Sequence, residues 1–476
     1  MSNALDAAGE LAIRSLIERA PLASSLAKAF KDAGFKLALV GGPVRDAILG
    51  RLGNDLDFTT NARPQDTKNI LNSWAEDVWD IGIEFGTIAG KRGDTTVEIT
   101  TYRSDKYDLD SRKPEVQFGE TIEGDLSRRD FTVNAMALEL TGAKPEFIDV
   151  FNGLSDLSAK VLRTPVTPEQ SFSDDPLRMM RAARFAAQLN FEVTDDALKA
   201  MKDMAERINI ISAERIRDEF IKLIMANHPR KGISILVATG LADLMLPEIP
   251  KLQLEIDEHH HHKDVYEHSL TVLEQAIELE ARLGGKNLVI RLAALLHDIG
   301  KPKTRALIPG GGVSFHHHEV VGARLAKDRL KKLRFSNEVI EEVETLIALH
   351  LRFHGYGDGE WTDSAVRRYV RDAGELLTHL HVLTRADCTT RNQKKAERLA
   401  RTYDELEARI DRLAAAEELA AIRPDLDGAE VMELLKLKPS REVGLALDFL
   451  LELRLEHGPL GKERAATELF NWWKSR

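Results

Sequence analysis

The sequence predicts an α/β domain at the N-terminal end, followed by a long and almost wholly helical remainder. Short apolar runs that end at glycine or polar turns occupy the first 150 residues, which is typical of a sheet with few helices. From about residue 170 onward, Leu, Met, Ala and Arg recur at helical spacing. A chain of 476 residues is also too long for one ordinary core, so several domains are expected.

The elements of the first domain can be placed in order. Residues 1–33 are expected to be helical, because Leu and Ile recur at mixed three-to-four-residue spacing. The apolar run Phe35–Val40 ends at Gly41-Gly42 and predicts a strand, a turn and then a helix. Further strands are expected at Asp55–Thr59, Ile83–Ala89, Thr96–Thr101 and Ala135–Glu139. An antiparallel or mixed sheet of about five strands would result.

Domain boundaries are expected near residues 150, 250 and 400. The strand patterns stop near Asp149–Gly153, Pro247 and Pro250 punctuate the second boundary, and a histidine-bearing helical block ends near residue 395. The run His259–His262 is expected to be a solvated loop. The four expected domains are residues 1–150, 151–250, 251–400 and 401–476.

The composition is that of a folded, water-soluble protein, with 43% hydrophobic and 30% charged residues. We expect a cytoplasmic protein without membrane contact, because no apolar run approaches a membrane span and no export signal is visible. The single cysteine, Cys388, excludes an internal disulfide and a CxxC zinc site. The net charge of −11 means that any RNA must bind at local basic patches. The oligomeric state is not indicated.

A glycine turn and an arginine outline a site for a triphosphate. In the segment LALVGGPVRDAILG, a strand runs into Gly41-Gly42, and a helix that carries Arg45 follows. Glycine allows close backbone approach, a helix N-terminus attracts anions, and Arg45 adds a full positive charge. Taken alone, a glycine pair is more often a simple turn.

Three carboxylates predict a magnesium site. Asp55 and Asp57 stand two residues apart on a strand, so both project from the same face. Strand alternation allows Glu98, in TTVEITTYR, to complete the group. Magnesium prefers oxygen ligands, and two such ions can stabilise the attacking and leaving oxygens in nucleotidyl transfer. For each carboxylate alone, an exposed strand position is the commoner explanation.

Four motifs, taken in order, carry a resemblance to a known family. They are GGPVRD at 41–46, DLDF at 55–58, DLSRRDFTVNAMA at 125–137 and DDPLRMMRAARFAAQLNF at 174–191. The set resembles the bacterial-type (class II) tRNA nucleotidyltransferase and poly(A) polymerase family, a branch of the polymerase-beta-like nucleotidyltransferases, over roughly the first 250 residues. The resemblance implies an α/β nucleotidyltransferase head over residues 1–150 and an all-α neck and body over 151–250.

The resemblance also implies roles for individual residues. Asp55 and Asp57 match the catalytic Mg²⁺ pair, and Glu98 takes the place of an additional acid. Arg128, Arg129 and Asp130 match a ribose-recognition motif, in which the carboxylate accepts from a hydroxyl while the guanidinium groups grip phosphate or orient that acid. The plainer explanation for Arg128-Arg129-Asp130 is a capped helix start. The implied nucleotide-binding set is Gly41, Gly42, Arg45, Arg128, Arg129, Asp130, Asp175, Arg178 and Arg181.

Base selection is assigned by the same resemblance to Asp175 and Arg178, which replace a nucleic-acid template. We expect the two residues, three apart, to lie on one helical face and to meet the Watson–Crick edge of CTP or ATP, both of which carry an exocyclic amine. Asp174 stands where the family usually has Glu. Arg181 and Arg184 extend the basic stripe and are expected to meet phosphate. A surface ion pair is the plainer explanation.

The implied reaction is template-independent addition or repair of the 3′-terminal CCA of tRNA, with release of pyrophosphate. Relatives that add only CC, only A or a poly(A) tail share these motifs, so those alternatives stay open. The polar stretch 101–118 resembles the flexible loop that full CCA enzymes need to switch from C to A. Its residues Tyr107, Asp108, Arg112 and Pro114 argue against a CC-only enzyme, although a solvated hairpin loop is the plainer explanation.

A second constellation occupies residues 251–400. Its H…HD…H…H…D series resembles the HD phosphohydrolase superfamily, a helical bundle that holds one or two divalent metals, either Mg²⁺ or a transition metal. The resemblance implies hydrolysis of phosphates at RNA ends, with Lys301 stabilising charge. Which of His316, His317 and His318 is the ligand is the least certain assignment. The expected ligands are His268, His297, Asp298, His318, His350 and Asp387.

Two hypotheses from other classes compete with the nucleotidyltransferase. The first is an HD nucleotide or RNA-end hydrolase with an inactive head, and the second is a noncatalytic RNA-binding chaperone. The intact aspartate motifs argue against the first, and two metal-type sites argue against the second. The partners expected for the favoured hypothesis are the tRNA 3′ end, CTP and ATP.

Overall fold

The computed structural model describes residues 2–82, 86–106, 115–119, 121–253, 264–308, 313–353, 361–390, 392–417 and 422–476. Contacts divide the chain into two compact units, Met1–Pro247 (unit one) and Glu248–Arg476 (unit two). Within the described part of the chain, no helix has the length and the apolar character needed to cross a membrane. The finer division into four domains remains a prediction.

Nine strands shape the N-terminal part of unit one. They are β1 (Leu37–Val40), β2 (Asp55–Thr60), β3 (Asp77–Gly82), β4 (Thr87–Arg92), β5 (Thr95–Thr101), β6 (Arg103–Lys106), β7 (Glu115–Phe118), β8 (Ala137–Glu139) and β9 (Glu146–Ile148). Seven form one mixed sheet in the order β3-β4-β5-β2-β1-β8-β9, while β6 and β7 form a separate hairpin. Strands β2 and β5 are parallel, whereas β1 is antiparallel to β2 and to β8.

The predicted mixed sheet is confirmed, but its size of about five strands was wrong. The five expected strands correspond to β1, β2, β4, β5 and β8. The missed strands β3 and β9 lie at the two edges of the sheet. An edge strand has little need of a continuous apolar face, so its pattern is weak. In β3, Asp77 and Asp80 interrupt the apolar residues, and β9 has only three residues.

One face of this sheet is covered and the other is open around β2. Along β2, Leu56 and Phe58 are buried, whereas Asp55 and Asp57 are exposed. Helix α4 (Pro64–Trp74) covers the buried face, since a Cβ placed on Gly90 would lie 3.4 Å from a Leu71 methyl carbon. The other helices around the sheet are α1 (Ser2–Arg19), α2 (Leu22–Asp32), α3 (Gly42–Ile48), α5 (Ile122–Ser127) and α6 (Gly153–Ala159).

The rest of unit one is helical, as predicted. A short 3-10 turn at Thr132–Asn134 precedes β8, and the two-residue strands β10 (Val161–Leu162) and β11 (Glu192–Val193) pair in parallel. The helices are α7 (Pro168–Asp174), α8 (Leu177–Leu189), α9 (Asp195–Asp203), α10 (Ala213–Ile224), α11 (Pro229–Ala238) and α12 (Leu241–Met245).

Unit two consists of helices and one small hairpin, in agreement with the predicted helical block and tail. The hairpin joins β12 (Ala306–Leu307) to β13 (Val313–Ser314). The helices of the block are α13 (Val265–Glu278), α14 (Leu288–Leu296), α15 (Lys301–Thr304), α16 (His318–Lys332), α17 (Asn337–Leu349), α18 (Asp363–Ala373) and α19 (Leu377–Ala386). Four more follow, α20 (Gln393–Glu417), α21 (Gly428–Leu435), α22 (Arg441–His457) and α23 (Lys462–Lys474).

Candidate active sites

Three carboxylates lie together on the open face of the sheet. Asp55 and Asp57 both project from β2 on that face, where they are exposed. In the parallel ladder between β2 and β5, Asp57 is the direct partner of Glu98, so their side chains share a face. The structure therefore brings together the three residues that the sequence suggested as a metal site.

The electrostatics of this group suit a cation. Partial desolvation raises the pKa of Asp57, and Asp55 adds to the rise, whereas Arg129 and Arg181 oppose it. Desolvation likewise raises the pKa of Glu98, with Asp57 and Asp55 as further causes. Both pKa values rise first because burial disfavours the charged form and then because like charges are held close together, and a bound divalent cation would relieve that repulsion. The three carboxylates thus have the chemistry that Mg²⁺ requires.

The turn after β1 requires glycine at position 41, because of the backbone conformation there and the close neighbours. Gly41 has φ of +74°, a region that favours glycine. A Cβ there would also lie 2.8 Å from Nη1 of Arg129. The Gly41 N–H donates to the carbonyl of Met136 at 3.3 Å, which continues the pairing of β1 with β8. The Gly41 N–H is therefore already used by the sheet, and the expected nucleotide-binding role of Gly41 and Gly42 remains a prediction.

Arg45 is buried behind this turn and is held from two sides. Its Nε and Nη2 donate to the two carboxylate oxygens of Asp46, at 3.1 and 2.9 Å. Its Nη1 donates to Oδ1 of Asn134 at 2.5 Å. Arg45 thus contributes a positive charge that is already paired with Asp46, and its expected role in binding the triphosphate remains a prediction.

Arg128 and Arg129 are both anchored by Asp125 in α5. Oδ1 of Asp125 accepts from Nη2 of Arg128 at 2.6 Å, and Oδ2 accepts from Nη2 of Arg129 at 3.2 Å. Burial alone would raise the pKa of Asp125, but the two guanidinium groups lower it below its ordinary value. The carboxylate that the structure places against both arginines is thus Asp125, and the expected ribose-recognition role of Arg128, Arg129 and Asp130 remains a prediction.

Asp130 is instead the partner of Arg181. Its Oδ2 accepts from Nε and Nη2 of Arg181 at 2.8 and 2.5 Å. Its Oδ1 accepts from the Phe131 N–H at 2.8 Å and from Nδ2 of Asn134 at 3.0 Å. Burial opposes ionisation, yet Arg181 and Asn134 hold the pKa of Asp130 well below its usual range. Because a carboxylate has about four acceptor positions, a ribose hydroxyl would have to displace one of these donors.

Asp175 and Arg178 do not share a helical face, which corrects the sequence prediction. Asp175 lies in the extended link between α7 and α8, because Pro176 disfavours a helical conformation in the residue before it. Oδ2 of Asp175 lies 3.3 Å from Nη2 of Arg215. Nη1 of Arg178, which is buried, donates to Oγ of Ser171 at 3.0 Å. The two side chains nevertheless reach the same cavity.

Arg184 is also more deeply held than a phosphate-binding surface arginine would be. Its Nε lies 3.1 Å from Oε2 of Glu219 in α10, and both side chains are buried. Burial is the main cause that lowers the pKa of Arg184 to about 10, with Arg181 as the next. Glu219 is also within 3.8 Å of Nη1 of Arg181. The main role that we assign to Arg184 is therefore its ion pair with Glu219, which joins α8 to α10.

A cavity of about 590 Å³ collects most of the predicted residues of unit one. Eight arginines and three aspartates are among its lining residues, so its surroundings favour an anion such as a triphosphate. Asp55 and Glu98 are not among the described lining residues, but Asp57 is. The predicted residues that line the cavity are Gly41, Gly42, Arg45, Asp57, Arg128, Arg129, Asp130, Asp175, Arg178, Arg181 and Arg184.

The sequence interpretation missed Asp125, Asn134 and Glu219. Asp125 stands three and four residues before Arg128 and Arg129, a spacing that indicates ion pairs on a helix, so a signal for it was present. No comparable local signal exists for Glu219, which lies 35 residues beyond Arg184. The loop residues Tyr107, Asp108, Arg112 and Pro114 lie outside the described residues, so their expected role remains a prediction.

We expect Asp125→Asn to destabilise the head locally by about 3 kcal/mol, because the change leaves two arginines without their buried anion. Hydrogen exchange of the amides of residues 121–140, followed by mass spectrometry, measures this loss. The control is Asp32→Asn, which breaks the exposed pair between Asp32 and Lys28. That pair should contribute less than about 0.5 kcal/mol. Equal effects of the two changes would contradict a special role for Asp125.

The six predicted HD residues converge in unit two. They form two groups, and within each group the ligand atoms lie within 4.8 Å of one another. One group is His268, His297 and Asp387, and the other is Asp298, His318 and His350. Nε2 of His268 is 2.9 Å from Oδ1 of Asp387, and Nε2 of His297 is 3.2 Å from Oδ2 of Asp298. His316 and His317 are exposed whereas His318 is buried, so the geometry selects His318.

The histidines of this cluster are prepared for metal binding. Nδ1 of His297, His318 and His350 donates to the carbonyl three residues earlier, at 2.9, 2.8 and 2.7 Å. Because a carbonyl only accepts, each Nδ1 carries a proton, so Nε2 is the nitrogen that each ring can offer to a metal once that nitrogen is deprotonated. Nε2 of His318 is buried and makes no hydrogen bond, although Oδ1 of Asp298 is 3.3 Å away. These donors fit a divalent cation.

Protonation in the cluster differs from one histidine to the next. Burial, with His297 as the next cause, lowers the pKa of His350 to about 3, so His350 is neutral at pH 7. Burial would also lower the pKa of His297, but Asp298 raises it to about 10. Nζ of Lys301 lies 2.6 Å from Oδ2 of Asp298. Two carboxylates and a lysine thus surround the imidazoles.

Comparison with known proteins finds three families along the chain. Residues 37–163 match the Poly A polymerase head domain, residues 190–252 the probable RNA and SrmB-binding site of polymerase A, and residues 265–392 the HD domain. The CCA-adding enzyme of Streptococcus gordonii is 41% identical over 229 residues, which are 48% of this chain and 55% of that protein. That of Streptococcus pyogenes is 43% identical over 216 residues, 45% of this chain and 52% of that protein.

The chain spans about half the length of the curated relatives it matches. Solved structures extend the likeness of fold further. The Bacillus stearothermophilus CCA-adding enzyme in complex with CTP has a TM-score of 0.65 at 22% identity, over 95% of this chain and 97% of that one. The Thermotoga maritima CCA-adding enzyme complexed with tRNA has a TM-score of 0.62 at 18% identity, over 97% and 98%. Along the chain, these matches show a Poly A polymerase head domain, a probable RNA and SrmB-binding site of polymerase A and an HD domain, in that order.

Proposed function

We propose that this protein is a template-independent nucleotidyltransferase that adds or repairs the 3′-terminal CCA of tRNA with CTP, ATP and Mg²⁺. The observation that carries the proposal is the arginine-rich cavity, which gathers Asp57, Asp130, Asp175 and Arg178 around one space. The relatives named above are CCA-adding enzymes, and their solved structures include complexes with CTP and with tRNA. We place the activity in the cytoplasm, where these substrates occur.

In this proposal, Asp55, Asp57 and Glu98 would hold Mg²⁺, which would supply neutralisation of phosphate charge and a lower pKa for the attacking 3′-hydroxyl. Transfer forms a bond between the RNA 3′ oxygen and the α-phosphorus, and pyrophosphate leaves. Arg128 and Arg129, held in place by Asp125, donate to phosphate oxygens. Their fixed positions lower the entropy that binding the triphosphate would otherwise cost.

Base selection falls to Asp175 and Arg178 at the junction of α7 and α8. The buried guanidinium of Arg178 is fixed by Ser171 and by the carbonyl of Arg128, and its remaining N–H donors can meet O2 and N3 of cytosine or N1 of adenine. The Asp175 carboxylate accepts from the exocyclic amine that both bases share. Uracil and guanine present a carbonyl there, so they leave Asp175 without a donor.

The HD cluster supports a second activity, the hydrolysis of phosphoesters at RNA ends. His268, His297, His318 and His350, with Asp298 and Asp387, would hold one or two divalent metals, which activate water for attack on phosphorus. Lys301 lies close enough to Asp298 to stabilise charge beside that site. The metal, Mg²⁺ or a transition metal, and the RNA-end substrate are part of the proposal.

Incubation of the purified protein with tRNA that lacks CCA, Mg²⁺ and each labelled nucleotide tests the first activity. We expect incorporation of two C residues and then one A, and no incorporation of U or G. Addition of only C, only A or long A tails would identify a CC-adding enzyme, an A-adding enzyme or a poly(A) polymerase instead. Hydrolysis of RNA ends without any incorporation would favour an HD hydrolase with an inactive head.

A further inference from the structure

An exposed tryptophan lies on the same sheet face as the three carboxylates. Across the sheet, Trp79 of β3 pairs with Ala89 of β4, Ala89 pairs with Glu98 of β5, and Glu98 pairs with Asp57 of β2. Partners in a ladder point to the same side, so all four side chains form one row. Trp79 is 39% exposed, whereas the other four tryptophans are buried or half-buried.

The position of this row relative to the nucleotide cavity suggests what it contacts. The lining includes Gly41 and Gly42, which follow β1, and Arg128, Arg129, Asp130 and Asn134, which precede β8. It therefore lies on the β1 side of Asp57, while Trp79 lies on the opposite side, beyond β5 and β4. In nucleotidyl transfer the attacking and leaving oxygens are roughly in line, so the RNA 3′ end must approach the metal site from the side away from the triphosphate.

Distance and charge along this face suit a single RNA strand. Trp79 is three strands from Asp57, which at about 4.8 Å per strand is about 14 Å, a span of about four stacked nucleotides or fewer. In the neighbouring row, exposed Lys91 pairs with exposed Asp77 on one side and with Thr96 on the other, and Thr96 pairs with Asp55. Lys91 therefore also points to the carboxylate face. Surfaces that bind single-stranded nucleic acid usually combine an aromatic ring, on which a base stacks, with a cation that contacts phosphate.

We propose that Trp79 stacks on a base of the RNA 3′ strand and so guides that strand to the carboxylates. This inference rests on the proposed nucleotidyltransferase function and adds a substrate contact on the side of the sheet opposite the nucleotide cavity. Between Trp79 and Glu98 in this row lies Ala89, a fully buried residue whose side chain is a single methyl group. This contact does not depend on the RNA sequence, because every base has a face on which an indole can stack.

The test compares Trp79→Ala, Trp79→Phe and the full-length wild-type chain in steady-state addition of CMP to tRNA that lacks CCA. For Trp79→Ala we expect the KM for tRNA, and the Kd for tRNA without nucleotide, to rise about tenfold. The KM for CTP should stay within about twofold. Trp79→Phe, which keeps an aromatic face, should recover most of the affinity. Phe470→Ala, a change at another exposed aromatic residue, in unit two, is the matched control and should change neither constant.

An unchanged KM and Kd for tRNA in Trp79→Ala would overturn the proposal, and so would an equal rise in the KM for CTP. A Trp79→Phe variant as weak as Trp79→Ala would also overturn it, because loss of sheet structure rather than of stacking would then explain both. Failure of the proposed function looks different. In that case the wild-type chain incorporates no nucleotide, while the comparison of Kd values for tRNA still decides the role of Trp79.

Discussion

Replacement of Asp57 by Asn should lower the rate of CMP and AMP addition by at least about 10³-fold, while the protein remains folded. The change removes one negative charge from the only carboxylate among the three that also lines the nucleotide cavity. Loss of a direct metal ligand removes several kcal/mol of charge stabilisation in the transition state, which corresponds to a loss of this size. Single-turnover addition to tRNA that lacks CCA measures the effect without interference from product release.

Folding of the Asp57→Asn variant is expected to be normal for a physical reason. Asp57 is exposed on the sheet, and its pKa is raised by desolvation and by Asp55, so the ionised carboxylate is disfavoured in the folded metal-free protein. A group whose folded pKa is raised costs stability above its unfolded pKa, and neutral Asn relieves that cost near pH 7. Thermal unfolding should therefore show an equal or slightly higher midpoint without Mg²⁺.

The matched control for this experiment is Asp94→Asn, at an exposed aspartate in the turn between β4 and β5. It removes the same charge from the same domain but lies outside the described cavity lining, so addition should stay within about twofold. Near-normal addition by Asp57→Asn would exclude the carboxylate row as the reaction centre. Excess Mg²⁺ should not rescue the variant, because a ligand is missing rather than weakly occupied.

The sequence predicted the parts of these sites that depend on local periodicity. Alternation along β2 was enough to place Asp55 and Asp57 on one face, and the ladder with β5 brought Glu98 to them. Periodicity failed at Asp175, where Pro176 breaks the helix that the three-residue spacing seemed to require. The exposure of Trp79 in β3 and the burial of Ile88 in β4 could not be predicted either, because nothing in the local sequence identifies which strand lies at an edge.

Local periodicity could not predict side-chain partners that are distant in sequence. Arg128, Arg129 and Asp130 are adjacent along the chain, yet Asp125 holds the first two and Arg181, 51 residues away, holds the third. The pairing of Asp130 depends on where α8 lies in the fold, which no local pattern records. In unit two the motif gave all six converging residues, but only burial separated His318 from His316 and His317.

The second large expected effect concerns the HD cluster. Asp298→Asn should reduce binding of Mn²⁺ or Ni²⁺ by at least about 100-fold and abolish the opening of 2′,3′-cyclic phosphates. Oδ2 of Asp298 lies 3.2 Å from Nε2 of His297, and its Oδ1 lies 3.3 Å from Nε2 of His318, so this carboxylate is the natural bridge between the two groups of ligands. Metal content after reconstitution and dialysis provides a measurement that does not depend on activity.

Burial of Asp298 makes a second variant necessary, because loss of its charge also leaves Lys301 without its 2.6 Å partner. Asp387→Asn changes a more exposed ligand, 2.9 Å from Nε2 of His268, and should give the same loss of metal with less effect on folding. Asp328→Asn, at an exposed position of α16, should retain metal. Addition of CMP should survive both ligand changes, since the carboxylates of β2 and β5 belong to unit one. Metal retained by Asp298→Asn and Asp387→Asn alike would show that the converging imidazoles and carboxylates form a structural network rather than a metal centre.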